Sequence, residues 1–177
     1  MALDNLSPEV KKILALARHE SEGLRHYYLG VEHIFIALTK MDSGVMQRIL
    51  GEIKIDPKQL RDSLRYFIGL GDGHRYWDGT VITPRGQLIL ELAREEAEKD
   101  GEDSISTKSL LIAIFKEGEG IPVRVLEGLG FQAQNILEMI NDSTVQVAFD
   151  TATHSTCDSL VQFSVIEQKF KSGGRNN

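Results

Sequence analysis

Three histidines recur every seven residues near the start of the 177-residue chain, at His19, His26 and His33. Imidazole is the commonest metal ligand and the usual general base near neutral pH, so this spacing is the first candidate for chemistry. Helical periodicity distributes the three over a helix, a loop and a second helix. A metal site built from them would need a coincidence of tertiary packing, and none is expected; His33 reads as a residue of helix packing. The single cysteine, Cys157, excludes an intramolecular disulfide and any CxxC metal or redox motif. There is no GxxxxGKS or GxxxxGKT phosphate loop, and no Ser-His-Asp or Cys-His arrangement stands out. On these grounds no catalytic residue, no metal and no cofactor are assigned.

The elements that would have to position any site are set by a duplication. The stretch from Leu6 to Leu38 is repeated from Ile82 at a constant offset of 76 positions without a gap. Pro8 matches Pro84, Ile13 matches Ile89, Ala17 matches Ala93, Arg18 matches Arg94 and Glu20 matches Glu96. Farther on, Ile36 matches Ile112, Lys40 matches Lys116, Gly44 matches Gly120, Arg48 matches Arg124 and Leu50 matches Leu126. Self-similarity held over this length marks a tandem repeat. The copies differ in charge. Residues 6–68 carry ten Lys or Arg against eight Asp or Glu, and residues 82–142 carry six against twelve. Neither copy is basic enough for a nucleic-acid surface. No apolar run approaches the roughly 18 residues of a membrane helix, and the N-terminus has no basic leader with an apolar core. A cytoplasmic location is therefore expected.

Each copy reads as four helices. Ser7 followed by Pro8 is a hydroxyl cap and a proline at the first helical position; Val10, Ile13, Leu14, Ala17 and Ser21 then form one apolar stripe, and Gly23 is the stop. The second helix, about Val31 to Lys40, is apolar nearly all round, which predicts a central, buried position. A short third helix carries Val45, Ile49 and Leu50. Asp56 and Pro57 open a fourth, with Leu60, Leu64, Phe67 and Ile68 inward. Residues 69–81 are a glycine-rich linker in which Tyr76 and Trp77 are expected to pin the chain to a repeat. Thr83 and Pro84 restart the pattern with Ile89, Leu92, Ala93 and Ala97, and Gly101 ends that helix. Ser106 or Thr107 caps the next, which buries Leu110 to Phe115; Pro122 opens a third, and Ile136, Leu137 and Ile140 suit a fourth. The fold class is all-α, with two tandem four-helix repeats (6–68 and 82–142) in one double-repeat unit over 1–142. Residues 143–177 form an extension in which TVQVAF and LVQFSVI suit a β-hairpin or a partly ordered tail, and the last residues read as disordered.

The motif S-P-E-V-x-x-I-L-x-L-A-R-x-E from Ser7, then L-G-V-E-H-I-F-I-A-L from Leu29, S-G-V-x-x-x-I-L from Ser43 and I-T-P-R from Ile82 together resemble the Clp N-terminal repeat family. The resemblance covers about Leu6 to Asp142. It implies an all-α pseudo-twofold bundle of eight helices that does no chemistry. In the family such a unit precedes AAA+ unfoldase rings and docks substrates and adaptor proteins. The partners implied are a Clp AAA+ ATPase, the Clp protease core, an adaptor or a substrate protein, with neither nucleic acid nor membrane.

The resemblance also implies a candidate ligand site. Some members bind phosphoarginine, with the phosphate near the start of a first helix and the Glu of a G-T-E-H motif on the guanidinium. The matching residues here are Ser7 and Glu32, with Val31 in place of the Thr. In the second copy Thr83 remains, but Lys108 stands where the Glu belongs and Ser109 where the His belongs, so at most the first pocket is expected to work. Purely structural roles exist for both residues. A Ser cap contributes about 1 kcal/mol, and an acid in the first helical turn about 0.3–1 kcal/mol. The alternatives left open are a small-ligand sensor using the first-repeat pocket and an enzyme with a site between the repeats.

Overall fold

Each copy begins where a hydroxyl side chain closes a proline-led helix. The structure, a computed structural model, describes residues 5–42, 44–73 and 81–142. The Ser7 hydroxyl accepts from the Val10 N–H at 3.2 Å and opens α1 (Pro8–Gly23); the Thr83 hydroxyl accepts from the Gly86 N–H at 3.0 Å and opens α5 (Pro84–Lys99). Between them lie α2 (Val31–Leu38), α3 (Val45–Glu52) and α4 (Pro57–Ile68), the last capped by Asp56. After α5 come α6 (Thr107–Glu117), α7 (Ile121–Gly128) and α8 (Ala133–Asn141). Of the two candidate caps for α6, Ser106 serves: its hydroxyl accepts from the Ser109 N–H, and the Ser109 hydroxyl accepts in return from the Ser106 N–H. The chain is an all-α pseudo-twofold bundle. The segments read as a C-terminal hairpin, together with Ser43, Tyr76 and Trp77, lie outside the described residues.

The two second helices form the centre. Val31 and His33 to Leu38 of α2 are buried, as are Ser109 to Phe115 of α6, and the rings of Phe35 and Phe115 meet edge to face at 6.1 Å. The first helices cover this pair with Val10, Ile13 and Ala17 on one side and Ile89, Ala93 and Ala97 on the other. The third and fourth helices cross over: α3 packs on α6 and α8 of the second copy, and α7 packs on α2 and α4 of the first. Met46, which the apolar pattern does not single out, is buried beside Ile49 and Leu50 in α3.

The backbone also crosses between copies, which periodicity does not predict. Two-residue strands β1 (Tyr28–Leu29) and β2 (Val81–Ile82) pair in parallel, with Leu29 opposite Ile82. An isolated parallel bridge joins Leu6 to Ile105, and these are the positions 76 residues from Ile82 and Leu29. The Thr83 N–H donates to the Leu29 carbonyl at 3.0 Å, and the Ser7 N–H to the Ile105 carbonyl at 3.1 Å. Each copy's entry segment is therefore held by the loop between the other copy's first two helices.

The duplication repeats two ion pairs, an exposed one within the first helix of each copy (Arg18–Glu22 and Arg94–Glu98) and one that ties the second helix region to the first. Lys40, just past the end of α2, bonds Glu20 of α1 at 2.5 Å, and Lys116 of α6 bonds Glu96 of α5 at 2.7 Å. In the first copy Arg65 of α4 also donates to both Glu20 oxygens. Burial by itself would raise the Glu20 carboxyl, but the hydrogen bonds and charges of Arg65 and Lys40 outweigh it and hold the group down at about 2. A depressed carboxylate stabilises the fold fully above its unfolded value of 4.5. That contribution is lost as pH falls from about 4.5 towards 2. The Glu20 side chain is 7% exposed, whereas Lys40 and Arg65 are 28% and 34% exposed and partly screened by solvent. Glu20→Gln is therefore expected to cost about 2 kcal/mol at pH 7. Thermal unfolding between pH 5 and pH 2 should show a shallower loss of Tm in the variant than in the parent.

Candidate functional site

The candidate carboxylate sits where a helix starts without a side-chain cap. Gly30 is the N-cap of α2, and the His33 ring supplies one half of the capping exchange by accepting the Gly30 N–H on Nδ1 at 3.0 Å. Glu32 turns back over this glycine: a Cβ on Gly30 would lie 2.2 Å from Glu32 Oε1. The Gly30 backbone, at φ −100° and ψ 172°, is ordinary extended chain. What the position requires is the missing side chain. The second copy has Ser106 there, and its Lys108 extends away to bond Asp100 at 2.8 Å.

Glu32 is 13% exposed, and burial pushes its carboxyl above the usual range, against the lowering effects of its own backbone N–H and of Arg85. Its Oε1 lies 3.7 Å from His33 Nδ1. That ring nitrogen already accepts the Gly30 N–H, so it carries a lone pair and is no cation for Glu32. Arg85, in the first turn of α5, is held instead by Glu117, with Nε 3.1 Å from the carboxylate, and donates from Nη1 to the Glu119 carbonyl at 2.6 Å. Glu117 is 9% exposed. A Cβ on Gly120, beside these acids, would meet Val31 Cγ1 at 3.6 Å. The start of α2, the start of α5 and the α6–α7 turn thus meet at one junction that holds two nearly buried carboxylates, Glu117 paired with the Arg85 guanidinium and Glu32 under its through-space influence. The N-terminus of α5 lies beside them, and although Thr83 takes the Gly86 N–H and Pro84 has none, the helix dipole there favours an anion.

Ser7 lies at the pseudo-equivalent junction on the other side. Its hydroxyl caps α1, its N–H bonds Ile105, and two residues on Glu9 accepts from the Thr107 hydroxyl at 3.3 Å. Ser7 therefore faces the start of α6, and Glu32 faces the start of α5. No hydrogen bond or ion pair among the described residues joins the two. Thr83, Arg85 and Glu117 are the residues of the Glu32 niche that the sequence reading did not associate with it. The repeat offset sets Arg85 opposite Glu9 and Glu117 opposite Met41, so the alignment of the copies gives no sign of their meeting; it follows from the crossed backbone pairing.

Of the three histidines, tertiary packing brings two together. His26 Nδ1 and His33 Nε2 are 2.8 Å apart and buried, while His19 remains on the exposed face of α1. Among the described residues no group of three His, Cys, Asp or Glu side chains is arranged to hold a metal ion. Also among them, no helix is long and apolar enough to cross a membrane.

Comparison with known proteins assigns the arrangement to a family. Residues 5–129 match the family model of the Clp repeat (R) N-terminal domain. The chain is 34% identical over 140 residues to the chloroplastic chaperone protein ClpC1 of Oryza sativa subsp. japonica, a match covering 77% of this chain and 15% of that protein. It is 26% identical over 180 residues to the chaperone protein ClpB of Oceanobacillus iheyensis, covering 96% of this chain and 22% of that protein. It spans only a small part of the length of these relatives. The fold is shared with the crystal structure of the N-terminal domain of the chaperone ClpD from Arabidopsis thaliana. That likeness has a TM-score of 0.62 and 12% identity, over 79% of this chain and 94% of that one. The N-domain of ClpV from Vibrio cholerae is similar, with a TM-score of 0.58 and 14% identity, over 79% and 87% of the two chains. The chain belongs to the Clp repeat N-terminal domain family.

Proposed function

We propose that this chain is a non-catalytic docking module that binds protein components of the Clp chaperone and protease system: an AAA+ ATPase, the protease core, an adaptor or a substrate. Family membership supports the general role. The observation that carries the recognition site is Glu32, a nearly buried carboxylate with no Lys or Arg nitrogen within ion-pair distance among the described residues. It opens onto the junction of two helix starts. A carboxylate in that position takes an arginine guanidinium through two parallel hydrogen bonds, and the neighbouring Arg85, paired through Nε with Glu117, shows a guanidinium accommodated by a carboxylate at the same junction. The niche is composite, with Glu32 from the first copy and the start of α5, capped by Thr83, from the second. Ser7 acts as a helix cap.

A second reading has a specific observation in its favour. The α5 N-terminus and the Arg85 guanidinium place positive potential beside the Glu32 carboxylate. A ligand carrying a phosphate next to a guanidinium, as phosphoarginine does, is complementary to that pair of charges.

Calorimetric titration of the full chain separates these readings. An arginine-bearing peptide should bind the parent, and Glu32→Gln should weaken it at least tenfold, or about 1.4 kcal/mol. Phosphoarginine that gives no heat while the peptide binds removes the small-ligand reading and leaves protein docking; a peptide affinity unchanged by Glu32→Gln removes Glu32 from the site.

Gly30→Ala provides an independent check. The added Cβ must displace the Glu32 carboxylate, because the carboxylate and not the backbone is the flexible partner. Fold stability should stay within about 1 kcal/mol of the parent, since φ at this position suits any residue and Ala is only a modestly poorer cap. Binding should fall as it does in Glu32→Gln, read from parallel melting and titration curves.

A further inference from the structure

The segment that leaves α4 is fastened to the loop between α1 and α2 by two backbone hydrogen bonds, Gly71 N–H to the Leu24 carbonyl at 2.9 Å and Gly73 N–H to the Arg25 carbonyl at 3.2 Å. The contact is close. A Cβ on Gly71 would lie 2.2 Å from the Arg25 oxygen and 2.7 Å from His26 Cδ2, so only glycine fits against that imidazole. The loop itself is shaped around the same ring. The His26 N–H donates to the Ser21 carbonyl at 2.9 Å, the Ser21 hydroxyl bonds the Tyr28 carbonyl at 2.6 Å, and the Tyr28 ring stacks on His26 with centroids 5.0 Å apart.

The proton positions in this cluster follow from its donors. Gly30 can only donate, so His33 Nδ1 is an acceptor and the proton of His33 is on Nε2. That Nε2–H donates to His26 Nδ1 at 2.8 Å, which leaves the proton of His26 on its own Nε2. Both rings are neutral, and the chain of bonds has one direction. A proton added to His33 Nδ1 would face the Gly30 N–H, and one added to His26 Nδ1 would face the His33 N–H. Either replaces a hydrogen bond by two opposed donors in a buried place.

We propose that the His26–His33 pair is an acid-released latch that fastens the segment following α4 to the loop between α1 and α2. The charged surroundings are mixed. From α1, Glu20 favours an imidazolium at His33, yet that carboxylate is already bonded to Lys40 and Arg65. From α2, the Glu32 carboxylate lies 3.7 Å from His33 Nδ1. Glu22 and Arg25 border His26, with Gly73, around a cavity of about 120 Å³; Tyr28 lies over the ring, and Asp72 is exposed on the fastened segment. Burial prevails over these charges. It pushes His26 down and, with the neighbouring His26, pushes His33 down to about 4 from an ordinary 6.5.

The sign follows directly. A histidine held neutral in the closed loop leaves the latch intact above pH 6.5 and progressively favours the open loop below it, the loss levelling off near pH 4. For His33 alone this makes opening about tenfold easier at pH 5.5 than at pH 7.5. The second copy has no such pair, because Glu102 and Ser109 occupy the matching positions.

Amide hydrogen exchange of the full chain, expressed as protection factors so that intrinsic pH effects cancel, tests the latch. Protection at His26, Gly71 and Gly73 should fall more than tenfold from pH 7.5 to pH 5.5, His26 adding to the share of His33, while amides of α5 and α6 hold. In His26→Asn, whose side-chain oxygen can still accept the His33 N–H without titrating, the pH-dependent loss should be smaller than in the parent. Constant protection at these three amides would overturn the proposal, as would an equal loss in α5 and α6, which would report global unfolding. Should His26→Asn fail to fold, the imidazole proton resonances of the parent decide instead. Titration of His33 near 6.5 with protection intact would overturn the latch; absence of an imidazolium signal from His26 and His33 down to pH 5.5 while protection falls would support it.

Discussion

Helices α2 and α6 are apolar on nearly every side, and a helix of that kind must be surrounded. One four-helix copy does not surround its own. Ile34, Phe35 and Leu38 on α2 are fully buried in a bundle where α7 of the other copy packs on α2 beside its own α1 and α4, and α3 packs on α6 in the same way. The exchange of the short third helices, the edge-to-face contact of Phe35 with Phe115 and the single continuous core all follow from this need for burial on all sides. The crossed strand pairing has a smaller energetic role. A few backbone hydrogen bonds contribute roughly 1 kcal/mol each, but they fix which loop meets which helix start.

That alignment is what makes the two junctions unlike each other. At both, a capped first helix abuts the start of the opposite copy's second helix. At one, Gly30 leaves room for Glu32 to fold inward beside Arg85 and Glu117. At the other, Ser106 closes the capping exchange with Ser109, and Lys108 turns outward to Asp100. Two or three substitutions on a symmetric scaffold therefore give one junction a buried carboxylate and the other a neutralised surface pair. The histidine pair adds to the asymmetry, because it exists only in the copy whose second helix carries Glu32.

Much of the fold was legible in the chain. The proline-led starts at Pro8, Pro57 and Pro84, the stripes through Val10 and Ile89 and the buried second helices are local patterns, and the constant offset of 76 residues reveals the second copy from the first. Glu32 was singled out as a candidate by resemblance, and the presence of Lys108 at the matching position of the second copy was legible from the repeat offset. The company Glu32 keeps was not. Arg85 and Glu117 lie 53 and 85 positions away in the other copy, and the two-residue strands that bring them near have no periodicity to detect. Nor did the heptad spacing of His26 and His33 foretell their contact, which arises because the loop between α1 and α2 folds back onto the first turn of α2.

Helix existence, helix order and the duplication were thus written in the residues themselves, because caps, stripes and repeats act over a few positions and leave a mark at each. The pairing of the copies was decided only in three dimensions. Burial of two all-round apolar helices can be satisfied only by elements far away in the chain, and nothing local to either helix says which elements those are. The crossed arrangement that satisfies it is also what puts Glu32 against the second copy's first helix and Ser7 against α6.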